Sequence, residues 1–170
     1  MATSLDRQQT VICLRQLYKH FRRPGDENGS CEDEFLRPFA SLYVPTISKG
    51  DYLELLVYRL DLSAEVCVVA LVYIDRILRN WPKFGFTEIN FHRVLAVCSL
   101  IGLKFLEDWK VDFNQFSCKS GISVRELLQL EVLCLRALNW RVYVSSDDFQ
   151  KYAALVFSSS PRKKDIRQST

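Results

Sequence analysis

Apolar side chains near the N-terminus recur at the spacing of one helix face, at positions i, i+3, i+4 and i+7. They are Leu14, Leu17, Tyr18 and Phe21. The pattern predicts an amphipathic helix within residues 1–23, which a Pro-Gly pair ends. Residues 24–44 are rich in acidic side chains and predict an irregular linker, in which Phe35 and Phe39 are expected to dock on the folded domain.

From residue 48 onwards, the sequence repeats one unit: a capping residue, an apolar helical stretch and a short polar break. A Ser or Asn before the first turn accepts hydrogen bonds from backbone N–H groups that have no partner within the helix. The predicted caps are Ser48 with Asp51, Ser63, Asn90, Ser123 with Glu126, and Ser145 with Asp148. Five helices are therefore predicted, and the Ser123–Glu126 pair is the clearest capping box.

The second of these helices contains nine consecutive apolar residues, 66–74. A buried strand would also fit this run, but the run continues to about Leu78, which is too long for a typical strand. A helix that is apolar on all sides belongs in the centre of a bundle. Residues 107–122 have a mixed composition and predict a short helical turn. The pattern as a whole predicts an all-α fold.

Composition and charge narrow the function. The chain has 170 residues, 48% of them apolar, and lacks an apolar run long enough to cross a bilayer. We expect a soluble intracellular protein, in the cytoplasm or the nucleus, that does not bind membranes. The net charge of +3 belongs to residues 158–170, which are expected to form a disordered basic tail, whereas the other 157 residues carry 19 basic and 19 acidic groups. This balance argues against binding to nucleic acid.

The potentially reactive residues do not form a recognisable active site. None of the six cysteines forms a C-x-x-C pair, and Cys67, Cys98 and Cys134 lie in apolar stretches. An even number of cysteines would also permit disulfide bonds, but a chain this apolar favours reduced, structural thiols. Two histidines without clustering predict no metal site. The sequence lacks a nucleophile–base pair and a phosphate-binding glycine loop, so we expect no enzymatic activity and no cofactor.

Two charged residues interrupt apolar helix faces. Lys104 ends an apolar run, and Glu131 shares a helix face with Leu127, Cys134 and Leu135. Because an unpaired buried charge is costly, these opposite charges are expected to meet. One interpretation is a structural ion pair, or two side chains that extend to solvent. The other is that both lie at the rim of an apolar patch and bind the backbone of a partner protein.

Several separated motifs, in order and spacing, resemble the cyclin box from about residue 45 to 157. They are Tyr73-Ile74-Asp75-Arg76, Leu103-Lys104-Phe105-Leu106-Glu107-Asp108, Leu130-Glu131 and Leu138-Asn139-Trp140. Gly121-Ile122-Ser123 and the residues from Leu138 to Val144 resemble the P/U-type cyclins, the phosphate-pathway cyclins of yeast and related cyclins of protists.

The resemblance implies a five-helix cyclin box, an orthogonal bundle around a central apolar helix, with an extra helix at the N-terminus. It also implies a regulatory subunit, monomeric when free, that binds and activates a cyclin-dependent protein kinase in cell-cycle control or nutrient signalling. In that family, the residues matching Lys104 and Glu131 contact the backbone of the kinase's regulatory helix. The positions expected to form the apolar cradle for that helix are Ile101, Phe105, Leu135, Trp140 and Val142.

The resemblance also places Glu107 and Asp108 near the kinase's activation segment, where they are expected to pair with arginines. Many cyclins pair the residue matching Asp75 with an arginine of the first helix, which this sequence lacks, so we expect Arg59, Arg76 or solvent to take that place. The sequence Ser-Pro-Arg-Lys at 160–163 is a possible site for a proline-directed kinase at Ser160. The alternative function is a cyclin-box adaptor that binds a transcription factor or nucleic acid without a kinase.

Overall fold

Helices account for the regular secondary structure of this computed structural model, which describes residues 7, 8, 10–12, 14, 15, 34–107 and 111–158. The elements, numbered in chain order, are a 3-10 helix at Arg37–Phe39, α1 (Lys49–Arg59), α2 (Ala64–Asn80), α3 (Phe91–Leu106), α4 (Phe113–Ser120), α5 (Val124–Ala137) and α6 (Ser146–Ser158). The described residues between 7 and 15 are also helical. The predicted all-α fold is confirmed.

Serine caps begin four of these helices as predicted. The side chain of Ser48 accepts a hydrogen bond from the backbone N–H of Asp51 at 3.1 Å, and that of Ser63 accepts one from Val66 at 3.2 Å. The hydroxyls of Ser123 and Ser145 accept from the third residue after them, at 3.2 and 3.1 Å. Each cap satisfies an N–H group that has no partner within its helix.

The prediction that the side chain of Asn90 caps a helix was wrong. Asn90 does precede α3, but its side chain makes no capping bond. Its amide oxygen accepts from the N–H of Thr87 at 2.9 Å, and its amide nitrogen donates to the carbonyl oxygen of Gly85 at 2.6 Å. The buried amide thus closes the turn that leads into α3, because that turn has backbone groups of its own to satisfy.

Helix α2 lies in the core, as its apolar sequence predicts. All residues from Val66 to Ile74 are buried, and the helix packs most extensively on α3 and also on α6. Gly102 lies where α3 contacts α2, and an added Cβ atom there would lie 3.4 Å from the carbonyl oxygen of Val66. Helix α3 in turn packs on α1 and α5, so α2 and α3 together form the centre of the bundle.

The segment predicted to contain a short helical turn forms the complete eight-residue helix α4. The carboxylate of Asp112 caps it, accepting from the N–H groups of Asn114 and Gln115 at 2.8 and 3.2 Å. Gly121 ends it in a left-handed conformation, with φ of 75°. The hydroxyl of Tyr52 donates to the carbonyl oxygen of Ser120 at 2.9 Å and so fastens α4 to α1.

The linker docks on the bundle through the two predicted phenylalanines. Phe39 is fully buried, and Phe35 stacks on Trp81 with ring centroids 4.9 Å apart. The indole N–H of Trp81 donates to the carbonyl oxygen of Ala137 at 3.1 Å, which joins this stack to the end of α5. The linker therefore packs against both α2 and α5.

The described N-terminal residues run antiparallel to α1. Arg7 pairs with Asp61 beyond the end of α1, whereas Arg15 contacts Glu54 at 2.6 Å nearer its start. Leu14 is buried in the core. Leu17, Tyr18 and Phe21 of the predicted helix lie outside the described residues, as do Cys13, Cys31, Asp108 and the tail with Ser160.

The described cysteines are free thiols: Cys67, Cys98 and Cys134 are buried and Cys118 is exposed. Burial raises the pKa of the Cys67 thiol to about 12, so this side chain stays protonated. Within the described residues, we find no group of three or more potential ligands that could hold a metal ion. Likewise, none of the described helices is long and apolar enough to cross a bilayer.

Candidate functional site

Lys104 and Glu131 meet at the surface. Lys104 lies in the last turn of α3, where a cation is favoured by the helix dipole, and Glu131 lies in the middle of α5. The ammonium nitrogen of Lys104 lies 2.5 Å from a carboxylate oxygen of Glu131, and the exposed fractions of the two side chains are 36% and 14%. The same ammonium group lies 4.4 Å from the ring centroid of Phe113. The pair is therefore accessible from one side and supported from the other.

The residues of the predicted apolar cradle are exposed in part. Phe105 is 37% exposed and Trp140 is 64% exposed, while Leu135 and Val142 are half-buried. Ile101 is nearly fully buried, so it belongs to the core in this structure. Four of the five predicted apolar positions therefore remain accessible to a partner.

Exposed apolar residues that the sequence analysis did not single out enlarge this area. They are Leu106, Leu128, Val132 and Tyr143, exposed by 40%, 48%, 52% and 72%. On α5, Leu128 lies about 60° and Val132 about 100° around the helix axis from Glu131, both on the same side of it. We use the name Lys104–Glu131 surface for the ion pair together with these exposed apolar residues: Phe105, Leu106, Leu128, Val132, Trp140 and Tyr143. The i, i+4 spacing of Leu128 and Val132 is the sequence signal that indicates this part of it.

A groove borders the same surface. Phe105 and Leu106 line it on one side, and Val144 and Phe149 line it on the other. Its volume is about 290 Å³. The end of α3 therefore presents its apolar side chains next to the start of α6.

The segment of residues 139–145 is held against α2 by side-chain hydrogen bonds. Arg76 donates to the carbonyl oxygens of Arg141 and Tyr143 at 2.8 and 2.9 Å and to the carboxylate of Asp148 at 3.1 Å. The hydroxyl of Tyr73 donates to the carbonyl oxygen of Val142 at 2.8 Å. Burial raises the pKa of this phenol above its ordinary value, so the group remains a donor.

Two non-glycine residues in this segment have a left-handed backbone. Asn139 has φ of 51° and Trp140 has φ of 59°, a conformation that costs about 1 kcal/mol or more for a residue with a side chain. The backbone N–H of Trp140 donates to the carbonyl oxygen of Leu135 at 2.8 Å. The hydrogen bonds from α2 offset the strain, and the result is an indole ring directed to solvent beside α5.

The predicted partners of Asp75 were wrong. Its carboxylate lies 2.8 Å from Nε of Arg79, one turn further along α2, and it accepts a hydrogen bond from the hydroxyl of Tyr152. Arg76 faces the 139–145 segment instead, because adjacent residues of a helix point about 100° apart. Burial and the bond to Asp75 raise the pKa of Tyr152 to about 12, so this hydroxyl also remains a donor.

Further residues singled out in the sequence are Glu107, Asp108, Ser123 and Glu126. Glu107 directly follows α3 and is half-buried, while Asp108 lies outside the described residues. Ser123 caps α5, but the carboxylate of Glu126 accepts a hydrogen bond from Nε of Arg93 at 2.5 Å. Glu126 therefore links α5 to α3.

Comparison with known proteins identifies the family. The sequence profile of the cyclin family, described as "Cyclin", matches residues 23–142. The chain is 34% identical over 120 residues to Cyclin-P4-1 of Oryza sativa subsp. japonica, an alignment that covers 71% of this chain and 57% of the relative. It is 31% identical over 140 residues to PHO85 cyclin-7 of Saccharomyces cerevisiae, covering 74% and 49%, respectively.

A third relative, Cyclin-U1-1 of Arabidopsis thaliana, is 33% identical over 118 residues, covering 69% of this chain and 56% of the relative. The chain thus spans about half the length of the curated relatives it matches. The names of these relatives confirm the predicted resemblance to P-type and U-type cyclins. Together with the all-α fold and a family match that covers most of the sequence, they show that this chain belongs to the cyclin family.

Proposed function

We propose that this chain is the regulatory subunit of a cyclin-dependent protein kinase and binds the kinase's regulatory helix on the Lys104–Glu131 surface. The observation that supports this most directly is the accessible ion pair at 2.5 Å, bordered on α3 and α5 by exposed apolar side chains. An apolar helix face would bury Phe105, Val132 and Trp140. The two charges would fix its register.

The ion pair leaves hydrogen-bond donors and acceptors unused. A lysine ammonium group has three N–H donors and a carboxylate has two oxygens that each accept more than one bond. The 2.5 Å contact uses one donor and one acceptor site. The remaining donors suit backbone carbonyl oxygens of a partner, and the remaining acceptor sites suit its backbone N–H groups.

Activation would follow from a shift in the conformations of the kinase. A protein that binds the active form of an enzyme more tightly than the inactive form increases the population of the active form. The hydrogen bonds from Arg76 and Tyr73 preorganise the surface, because they hold the 139–145 segment before a partner arrives. Phosphoryl transfer itself would belong to the kinase.

The proposal is tested with the Lys104→Ala/Glu131→Ala variant and a panel of purified cyclin-dependent kinases. Binding is measured by titration calorimetry, and activation is measured by phosphorylation of a peptide substrate. A matched control is Lys49→Ala/Glu88→Ala, which removes another surface ion pair, with atoms 2.8 Å apart, elsewhere on the molecule. We expect the control to bind and activate normally and the test variant to bind at least about tenfold more weakly. Equal binding by the two variants would refute the proposed role of the pair.

A further inference from the structure

A groove with a basic lining separates α5 from the 3-10 helix of the linker. Its volume is about 630 Å³, and the residues that matter for its chemistry are Pro38, Arg125, Gln129, Val132, Leu133 and Arg136. On α5, the face bearing Arg125, Gln129 and Arg136 lies about 140° around the helix axis from the face bearing Glu131. The groove therefore adjoins the Lys104–Glu131 surface, and the two share Val132.

The groove has two exposed arginines and no free carboxylate among its described lining residues. Glu126 is the acidic lining residue, and its carboxylate is engaged by Arg93 at 2.5 Å. Arg125 has no ion-pair partner among the described residues and lies in the first turn of α5. The positive end of the helix dipole adds to its charge there. Because the Arg93–Glu126 pair is neutral overall, Arg125 gives this end of the groove a net positive charge.

The second arginine is held in position by an aromatic stack. The guanidinium carbon of Arg136 lies 5.2 Å from the ring centroid of Phe35, and Phe35 stacks on Trp81 with an interplanar angle of 19°. The indole of Trp81 is fixed by its bond to Ala137. Stacking contacts the face of a guanidinium group and leaves its N–H edges available for a carboxylate. Arg136 is thus preorganised to bind an anionic group.

The spacing of the arginines indicates the form of the ligand. Eleven residues along a helix separate their Cα atoms by about 16 Å. An extended chain advances about 3.3 Å per residue and covers that distance in about five residues. Between the arginines, Val132 is 52% exposed and Leu133 is half-buried, so an apolar side chain has a place to pack there.

We propose that this groove binds an extended, acidic segment of a partner protein. The segment has two carboxylates about five residues apart and an apolar side chain between them. One carboxylate pairs with Arg125 and the other accepts a forked pair of hydrogen bonds from Arg136. The groove shares Val132 with the Lys104–Glu131 surface, but Arg125 and Arg136 are not part of that surface, so each proposal can fail without the other.

The experiment uses the full chain and a fluorescein-labelled peptide of about twelve residues, measured by fluorescence anisotropy. The peptide has two glutamates about five residues apart and a leucine between them. One control peptide has glutamines in place of the glutamates, and another has the two glutamates adjacent. We expect saturable binding of the first peptide, weaker binding at higher salt, and at least about tenfold weaker binding of both controls.

Protein variants locate the binding site. Arg125→Glu/Arg136→Glu is expected to abolish binding, and the milder Arg125→Gln/Arg136→Gln is expected to weaken it at least about tenfold. Lys151→Glu changes the charge of an exposed residue on α6 and should leave binding unchanged. Circular dichroism checks that each variant is folded. The Lys104→Ala/Glu131→Ala variant should still bind the peptide.

Several outcomes overturn the proposal. These are no binding by the wild-type chain, equal binding of the glutamine peptide, and full binding by the folded arginine variants. Displacement of the peptide by a single-stranded oligonucleotide at equal concentration would assign the groove to nucleic acid instead. Loss of kinase binding in the arginine variants, in parallel with loss of peptide binding, would make the groove part of the kinase interface.

Discussion

The hydroxyl of Tyr73 donates a hydrogen bond to the carbonyl oxygen of Val142 at 2.8 Å and joins the central helix to a segment 69 residues later. The tyrosine ring is fully buried in α2, whereas Trp140 and Tyr143 on either side of Val142 are largely exposed. A buried side chain of the core thus helps to position exposed aromatic side chains. Because neither group in this hydrogen bond is charged, its removal tests whether the core positions the segment without changing the charge of the protein.

Tyr73→Phe is expected to lower the free energy of unfolding by about 1 kcal/mol, because it removes one hydrogen bond and keeps the ring. Urea denaturation measures the difference. Tyr58→Phe is the matched control, since Tyr58 is 40% exposed on α1. The control should unfold as the wild type does. Equal unfolding free energies for all three proteins would show that the bond to Val142 does not hold the segment.

Arg76→Lys is expected to loosen the 139–145 segment although it keeps the charge. The arginine bonds two carbonyl oxygens and one carboxylate at the same time, and a lysine ammonium group does not reproduce that forked geometry. Trypsin cleaves after Arg141 in this segment, so faster cleavage at that bond measures the loosening. Arg79→Lys, which affects the pair with Asp75, is the control on the same helix. A cleavage rate at Arg141 that is the same in both variants would contradict the role of Arg76.

The charge-swapped variant Lys104→Glu/Glu131→Lys distinguishes a structural ion pair from a binding site. Because Lys104 is more than one third exposed, the pair contributes no more than about 1 kcal/mol to stability, and the swap should retain most of that. Binding to a partner's backbone depends on which side donates and which accepts, so the swapped protein should lose kinase binding. Its free energy of unfolding should fall by only about 1–2 kcal/mol, because a glutamate at position 104 loses the favourable helix-dipole and Phe113 contacts of the ammonium group. The swap Lys49→Glu/Glu88→Lys should affect neither. Normal kinase binding by the swapped Lys104–Glu131 pair would favour the purely structural interpretation.

The helices that the sequence predicted from residue 48 onwards are those in which a serine or Asn90 precedes an apolar stretch. The sequence predicted only a short helical turn where helix α4 forms. The reason is that few residues of this helix are buried: Phe116 and Ser120. Its stability comes from the Asp112 cap and from contacts with α1 and α5, which no local pattern records. The apolar run of α2 was sufficient to place it in the centre, because a helix with no polar face has no stable place at the surface.

The part of the candidate site that could be predicted consists of charged residues that interrupt apolar stretches of sequence. Lys104 and Glu131 stood out because charges in apolar stripes are costly, and they do meet. The Asp75–Arg79 pair was predictable from its i, i+4 spacing but was missed in favour of Arg59 and Arg76. The contacts of Arg76 and Tyr73 are with backbone carbonyls more than 60 residues away. Every residue has such a carbonyl, so the side-chain pattern gives no indication of which one is bound.

His92 is expected to make the stability of the fold dependent on pH. Its Nε2 atom lies 3.1 Å from the carbonyl oxygen of Ile47, whereas its Nδ1 atom is buried without a partner among the described residues. Burial lowers the pKa of His92, and the bond to Ile47 and the charge of Glu88 oppose this effect only in part. Protonation would place a proton on the buried Nδ1 atom, where nothing described accepts it.

The unfolded chain therefore binds a proton at His92 more readily than the folded chain. As the pH falls below about 6.5, the ordinary pKa of histidine, the unfolded state becomes protonated first, and the free energy of unfolding should decrease until the lower folded-state pKa is reached. Urea denaturation between about pH 7.5 and 5 measures this decrease. His92→Gln keeps an N–H donor for Ile47 but does not titrate, so its curve should be flatter than that of the wild type over the same range. Parallel curves for the two proteins would contradict the assignment of the pH dependence to His92.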